Sequence, residues 1–349
     1  MAPLACPSTL ERMHRPSIEL SRKEDARMRT FIGVIALGLV TATSIVGPAA
    51  AQQYPSQPIK IIVPTPPGGV ADITGRALAQ RLNDTGKTAV VENRTGAGGA
   101  IAAAFVAKSP ADGYTVYVGF HATQAILPHL QTLTYDAEKD FAPVTVAVQS
   151  ANIMVVNPKI PAKTAQEFVT YVKANSGKIS YGSQGNGSSG HILGEQFKQL
   201  AGIDLAHVAY RGGAPAVQDL VAGHVAVVFD ILTLARPQVE AGNVKALLIT
   251  SAQPDPVFPG VPTAKQAGFP ALEGGPWFGF FVPTGTPKAV VDLLYAETKQ
   301  AFGTDAAKDQ MRKQLLTPIL GTPDETKAFV AAEYKRWGEI IKSANIKLQ

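Results

Sequence analysis

A unit that occurs twice constrains this chain more than anything else in it: a β-branched run, a glycine-rich turn and the first turn of a helix. It reads IIVPTPPGGVAD from Ile61 and ISYGSQGNGSSGH from Ile179. Glycine lets a turn take conformations closed to other residues, and a helix start exposes unpaired N–H groups with a partial positive charge. Two such ends facing each other would grip a carboxylate or phosphate. The structural alternative, that the glycines only make tight βα turns, stays open at this stage.

Around these units the chain alternates short apolar runs with amphipathic stretches, which predicts parallel sheets covered by helices. In the first half, IKIIVP (Ile59 to Pro64) reads as a buried strand. It is followed by a helix with Val70, Ile73, Ala77, Leu78 and Leu82 on one face. The strand AVVEN, the turn Gly96 to Gly99, a helix from Ala100 and the strand YTVYVGF complete a βαβαβ run ending at a loop with His121 and Thr123. The segment Val144 to Pro158 is too long for one strand and reads as a hinge strand between two sheets. The second half repeats the grammar, and the strand WFGFFVP (Trp277 to Pro283) returns the chain to the first domain before two closing helices. The expected fold is α/β with two domains, 52–148 plus 273–349 and 149–272.

The first 51 residues read as an address. From Met28 there is one positive residue, an apolar run from Phe31 to Val40 and small residues ending at Ala51, the pattern of a secretory signal cleaved near Ala51. The apolar run is too short to span a bilayer. Translation is expected to begin at Met28, with residues 1–27 an over-extended start. The single cysteine, Cys6, falls in that part, so the exported chain has no disulfide or thiolate nucleophile. The formal charge of +5 becomes nearly neutral after residue 51, with 26 basic against 23 acidic residues. No basic stripe with interleaved aromatics supports a nucleic-acid partner.

Enzyme signatures are incomplete. Gly86-Lys87-Thr88 lacks the glycine of a phosphate loop, since Arg81 stands there, and Ile101 breaks a dinucleotide fingerprint at Gly96-Ala97-Gly98. There is no G-x-S-x-G elbow around Ser183, and no HExxH pair among six scattered histidines. His191 and Glu195 share a helical face at metal-ligand spacing, but no third ligand joins them, so His191 is expected in the core or at a cap and neither metal nor cofactor is expected. Asp72 can cap the first helix or contact a ligand, and Ser183, Asn186 and Ser188 offer polar groups that serve either role.

With these segments assembled, the chain from about Tyr54 onward resembles the receptor family of tripartite tricarboxylate transporters, the Bug-type periplasmic solute-binding proteins. The resemblance rests on YPSQPIKIIVPTPPGG with Asp72, VVENRTGAGGAIAAAFVAKSPADGYTVYVG, YGSQGNGSSGHILGEQFK, HVAYRGGAPAVQDLVAG and WFGFFVPTGTPK, among other segments in register. It implies a class II periplasmic-binding fold with a two-segment hinge. Such a receptor is a monomer that captures a small organic acid and hands it to a membrane permease without catalysis. Ligand contacts carried over are Pro66, Gly68, Gly69 and Asp72 in the first loop, Thr123, and Ser183, Gly185, Asn186 and Gly187 in the second domain. Tyr210 and Asp230 complete the wall. Three positions depart from the family's habit: Thr65 where an aromatic is common, His121 where residues are small, and Leu127 for a frequent asparagine. Thr65 is therefore placed beside the ligand as a source of selectivity. The alternatives carried forward are an α/β enzyme acting on a carboxylate and a sensor presenting the ligand to a membrane kinase.

Overall fold

The computed structural model describes residues 54–347. The expected signal, its cleavage near Ala51, the start at Met28 and Cys6 all lie outside the described residues.

The first lobe begins with β1 (Ile59–Val63), α1 (Val70–Asp84), β2 (Ala89–Asn93), α2 (Ala100–Ala107), β3 (Thr115–Phe120), a helical turn at Ala122–Ile126, α3 (Leu127–Leu130) and β4 (Phe141–Gln149). The second holds β5 (Asn152–Val156), α4 (Ala165–Ala174), β6 (Ser180–Ser183), α5 (Ser189–Ala201), β7 (Ala206–Ala209), α6 (Gly213–Ala222), β8 (Val227–Ile231), α7 (Leu232–Glu240) and β9 (Lys245–Ile249). The chain then returns through β10 (Trp277–Pro283), α8 (Lys288–Gly303), α9 (Asp305–Lys313), β11 (Thr317–Pro318) and α10 (Pro323–Ser343).

Among the described residues these strands form two sheets, ordered β11-β4-β10-β3-β1-β2 and β7-β6-β8-β5-β9. β1 is apolar on both faces because both are covered. Ile59, Ile61 and Val63 pack with Val70, Leu78 and Leu82 of α1, while Ile62 packs with Ala102, Ala103 and Val106 of α2. The helices lie on opposite faces because the chain leaves β1 in one direction, to β2, and comes back past it to β3. The second sheet repeats this: β6 leads to β7 on one side, and the chain returns to β8 on the other, with α5 and α6 in separate cores. Each sheet therefore has a topological switch point, between β1 and β3 and between β6 and β8. A crevice opens beyond the carboxyl ends of strands at such a point.

The strand expected to run through Val144 to Pro158 is two strands, β4 and β5, in different sheets, with Ser150 and Ala151 between them. The chain crosses back between Ile249 and Trp277. The crossings are laced together. Ser150 N–H donates to the Pro276 carbonyl (2.9 Å), Asn152 N–H to Thr250 Oγ1 (2.8 Å) and Gly274 N–H to the Thr250 carbonyl (2.9 Å). A Cβ on Gly275 would stand 2.0 Å from the Ser150 carbonyl oxygen, so only glycine permits this approach.

Three helical pieces were not anticipated. α7 contains Pro237, a residue that argues against a helix interior, and α9 is so polar that Met311 is its buried residue. The loop expected at His121 and Thr123 is instead the helical turn Ala122–Ile126 running into α3. α10 starts as its sequence suggests, at a capping box in which Thr322 and Glu325 satisfy each other's backbone amides. Among the described residues no helix is long and apolar enough to cross a membrane.

Candidate functional site

At the first switch point β1 ends in the turn Thr65 to Gly69. Gly69 is the N-cap of α1 and no side chain caps that helix, so its first amides remain available to a ligand. Asp72 is buried and its carboxylate takes three donors: Gly68 N–H (2.9 Å), Arg76 Nε (2.8 Å) and Asn93 Nδ2 (2.9 Å). Burial alone would raise its pKa, but the bonds from Arg76, Gly68 and Asn93 outweigh it and hold Asp72 below the ordinary carboxylate range. Asn93 also donates to the Thr65 carbonyl (3.0 Å). Asp72 thus braces the loop, with three of its roughly four acceptor sites taken by donors from within the protein. Pro66 and Gly68 are exposed, Gly69 is half-buried, and Thr65 Oγ1 is enclosed without a partner.

Beside this loop, Thr123 is fully buried and its hydroxyl points inward, receiving Tyr117 OH (2.9 Å) and facing the Phe120 carbonyl (3.3 Å). Its hydroxyl is therefore engaged within the first lobe. His121 lies edge-on to Phe120 and Phe278, 2% exposed, and burial drives its pKa down to about 3. Its ring comes up to the Trp277 backbone without a hydrogen bond of normal geometry.

In the second lobe the loop of Ser183, Gly185, Asn186 and Gly187 satisfies much of itself. Ser183 is buried, its Oγ is 2.7 Å from His207 Nε2, and it accepts Gly185 N–H (3.2 Å). Gly187 N–H donates to His191 Nδ1 (3.1 Å), which requires that nitrogen to be unprotonated. His191 stacks on His207 at 4.2 Å, and burial lowers both rings, to about 4 and about 3. Ser188 caps α5 through His191 N–H, and Gln184 Oε1 accepts Gly190 N–H (3.2 Å). The expectation of two free helix ends is thus corrected. α1 has an uncapped start, whereas α5 is closed by its own side chains. His191 is a buried loop anchor, and among the described residues no three His, Cys, Asp or Glu side chains gather as a metal site.

Asp230, at the end of β8, is fully buried. Its Oδ1 accepts Gln184 Nε2 and Ile231 N–H, its Oδ2 has no partner, and burial raises its pKa to about 6. Tyr210 lies against Gly182 and sends its hydroxyl to Asp219 (2.7 Å).

The two loop systems meet. A Cβ on Gly98 would lie 3.3 Å from the Asn186 carbonyl oxygen, and one on Gly187 2.4 Å from Leu127 Cδ2. Ile192 of α5 packs among Ile62, Tyr117, Ala125 and Ile126 of the first lobe. Loops at the carboxyl ends of both sheets therefore meet at Gly98, Leu127, Asn186 and Gly187. Gln124, His207 and Asn93 were not singled out from the sequence. A local sign existed only for Gln124, an amide in the apolar run ATQAIL.

Comparison with known proteins finds relatives along most of the chain. Protein BugT of Bordetella pertussis is 34% identical over 92% of this chain and 99% of its own. An adipate-bound structure from R. palustris is 34% identical with a TM-score of 0.80, covering 84% of this chain and 99% of that one. MatC from Rhodopseudomonas palustris, with bound malate, is 31% identical with a TM-score of 0.77, covering 82% and 100%. A family model described as tripartite tricarboxylate transporter family receptor matches residues 74–346. With two α/β lobes joined by two crossings and a match over most of its length, the chain belongs to the tripartite tricarboxylate transporter receptor family.

Proposed function

We propose that this receptor captures a small carboxylate-containing solute between its lobes, 52–148 with 273–349 and 149–272, and delivers it to a membrane permease. The observation that carries this reading is the meeting of the two switch points. The glycine turn at 96–99 of one lobe meets the glycine loop at 185–187 of the other, and beside that turn, past Pro64, α1 starts with no side-chain cap. The ligand carboxylate takes the first amides of α1 beside Pro66, Gly68 and Gly69. Asp72 holds that loop in shape, and Ser183 with His191 and His207 shapes the loop of Gly185 to Gly187 across from it. Thr65, Asn186, Tyr210 and Asp230 surround the bound molecule, with Thr123 supporting the floor. Carboxylates bound to two relatives, adipate and malate, support the chemistry. The protein acts as a periplasmic monomer, and its part is capture and release rather than turnover.

Thermal melting of the chain from Gln52 onward against a panel of mono-, di- and tricarboxylates tests this. At least one acid should raise the melting temperature and be recovered chemically unchanged. A panel without effect, or conversion of the acid, sinks the reading.

A further inference from the structure

Four buried polar groups at the switch points have no hydrogen bond of normal geometry within the protein: Thr65 Oγ1 after β1, the His121 ring, which only approaches the Trp277 backbone, and the Gln124 amide after β3, and Asp230 Oδ2 at the end of β8. Gln124 is 1% exposed and Asp230 0%. Unpaired buried polar atoms are rare in native interiors because each forfeits its bonds to water, so a group of them at one junction points to a missing occupant.

All four stand at the carboxyl ends of strands that border the two switch points, β1 and β3 in one sheet and β8 in the other, and some of their chain neighbours adjoin. A Cβ on Gly99 would touch both Thr123, next to Gln124, and Pro64, next to Thr65. Ile231, next to Asp230, shares one apolar cluster with Phe120, Ala122 and Phe278, the residues around His121.

Their chemistry is specific. A hydroxyl, an imidazole kept neutral by burial and a carboxamide each donate and accept, and Asp230 supplies an acceptor. The four include no lysine or arginine, and Arg94, which follows Asn93, is paired with Glu92 (2.7 Å) and stacked on Phe105, so a second carboxylate there would face Asp230 with no free cation to offset it. We infer that the far end of the ligand is a neutral hydroxylated chain rather than a second carboxylate, and that His121, Gln124 and Thr65 select it. This rests on the capture reading above, with the first carboxylate on the α1 loop.

Titration calorimetry with matched acids tests the inference: propionate, glycerate and malonate, then hexanoate, gluconate and adipate. In each set the hydroxylated monocarboxylate should bind about tenfold or more tighter than the other two, the scale of one to two neutral hydrogen bonds. His121→Phe keeps the ring packing and Gln124→Met keeps the length. Each should erase about tenfold of that preference and leave the unsubstituted acid within about twofold. Thr65→Val provides the same readout if His121→Phe fails to fold. Tighter binding of malonate or adipate, or equal weakening of every acid by the variants, overturns the inference and leaves carboxylate capture standing. Binding of none of these acids by the wild type overturns both.

Discussion

Leu127 occupies the space into which a side chain at Gly187 would project, with its Cδ2 2.4 Å from a Cβ built there. Gly187 also has φ of +74°, a left-handed conformation that favours glycine. The contact joins α3 of one lobe to the glycine loop of the other.

Gly187→Val should therefore push Leu127 aside and disturb the contact between the lobes. Backbone strain of about 1–2 kcal/mol adds to the clash, so ligand affinity should fall by well over tenfold. Ser183→Ala removes the buried bonds to His207 and to the Gly185 amide and should cost about 1–3 kcal/mol of stability with a few-fold loss of affinity. Calorimetry on folded variants checks the order; the reverse order would place the anchor elsewhere.

Thr65→Phe tests the departure at the end of β1. The Thr65 hydroxyl is enclosed and lies 3.3 Å from the Cβ position of Gly69, so a phenyl ring has to take ligand space. Overfilling costs about 1–3 kcal/mol, or roughly tenfold or more in affinity. The unliganded melting temperature should hardly move. Unchanged affinity in a well-folded variant would show that Thr65 does not face the ligand.

Stability should fall between pH 7 and pH 5. His121 and His191 are held neutral by burial, with folded pKa values of about 3 and about 4. A lowered pKa contributes stability that is complete above the unfolded value of about 6.5 and is lost as pH falls below it. Each ring accounts for about 2 kcal/mol by pH 5. Asp230 works in the opposite direction: raised to about 6, its contribution is complete below about pH 4 and lost as pH rises through 6. Asp230→Asn should thus steepen the loss on acidification. Urea denaturation at the two pH values measures it, and a flat profile would contradict the buried neutral histidines.

Glu333 ties α10 to β10 by accepting both indole N–H groups, Trp277 Nε1 at 3.1 Å and Trp337 Nε1 at 3.0 Å. Glu333→Ala strands two buried donors and should destabilise by about 2–4 kcal/mol. A lower melting midpoint with red-shifted tryptophan fluorescence is expected. An unchanged midpoint would mean that water replaces the carboxylate.

Much of this protein was legible from local pattern. The apolar run Ile59 to Val63, the face of α1, the twin glycine loops and the Thr322 cap are set by neighbours a few residues apart. Periodicity and capping therefore revealed two α/β halves and two crossings. Pro237 hid α7, and the polarity of 305–313 hid α9, because each is held by packing rather than by its own propensity.

The site was legible as a set of loops but not as a set of free groups. The glycines of 185–187 promised open amides, yet the Gly187 amide ends on His191, which β7 presses into place through His207. Asp72 was open between helix cap and ligand contact, and its carboxylate takes Gly68, Arg76 and Asn93. His121 and Gln124 stand without partners because of what the other elements do not bring to them. Whether a donor is free depends on every group within about 3 Å of it. Those groups come from strands and helices distant in sequence, so residue type set the capacity to bind and tertiary packing decided where that capacity was left unused.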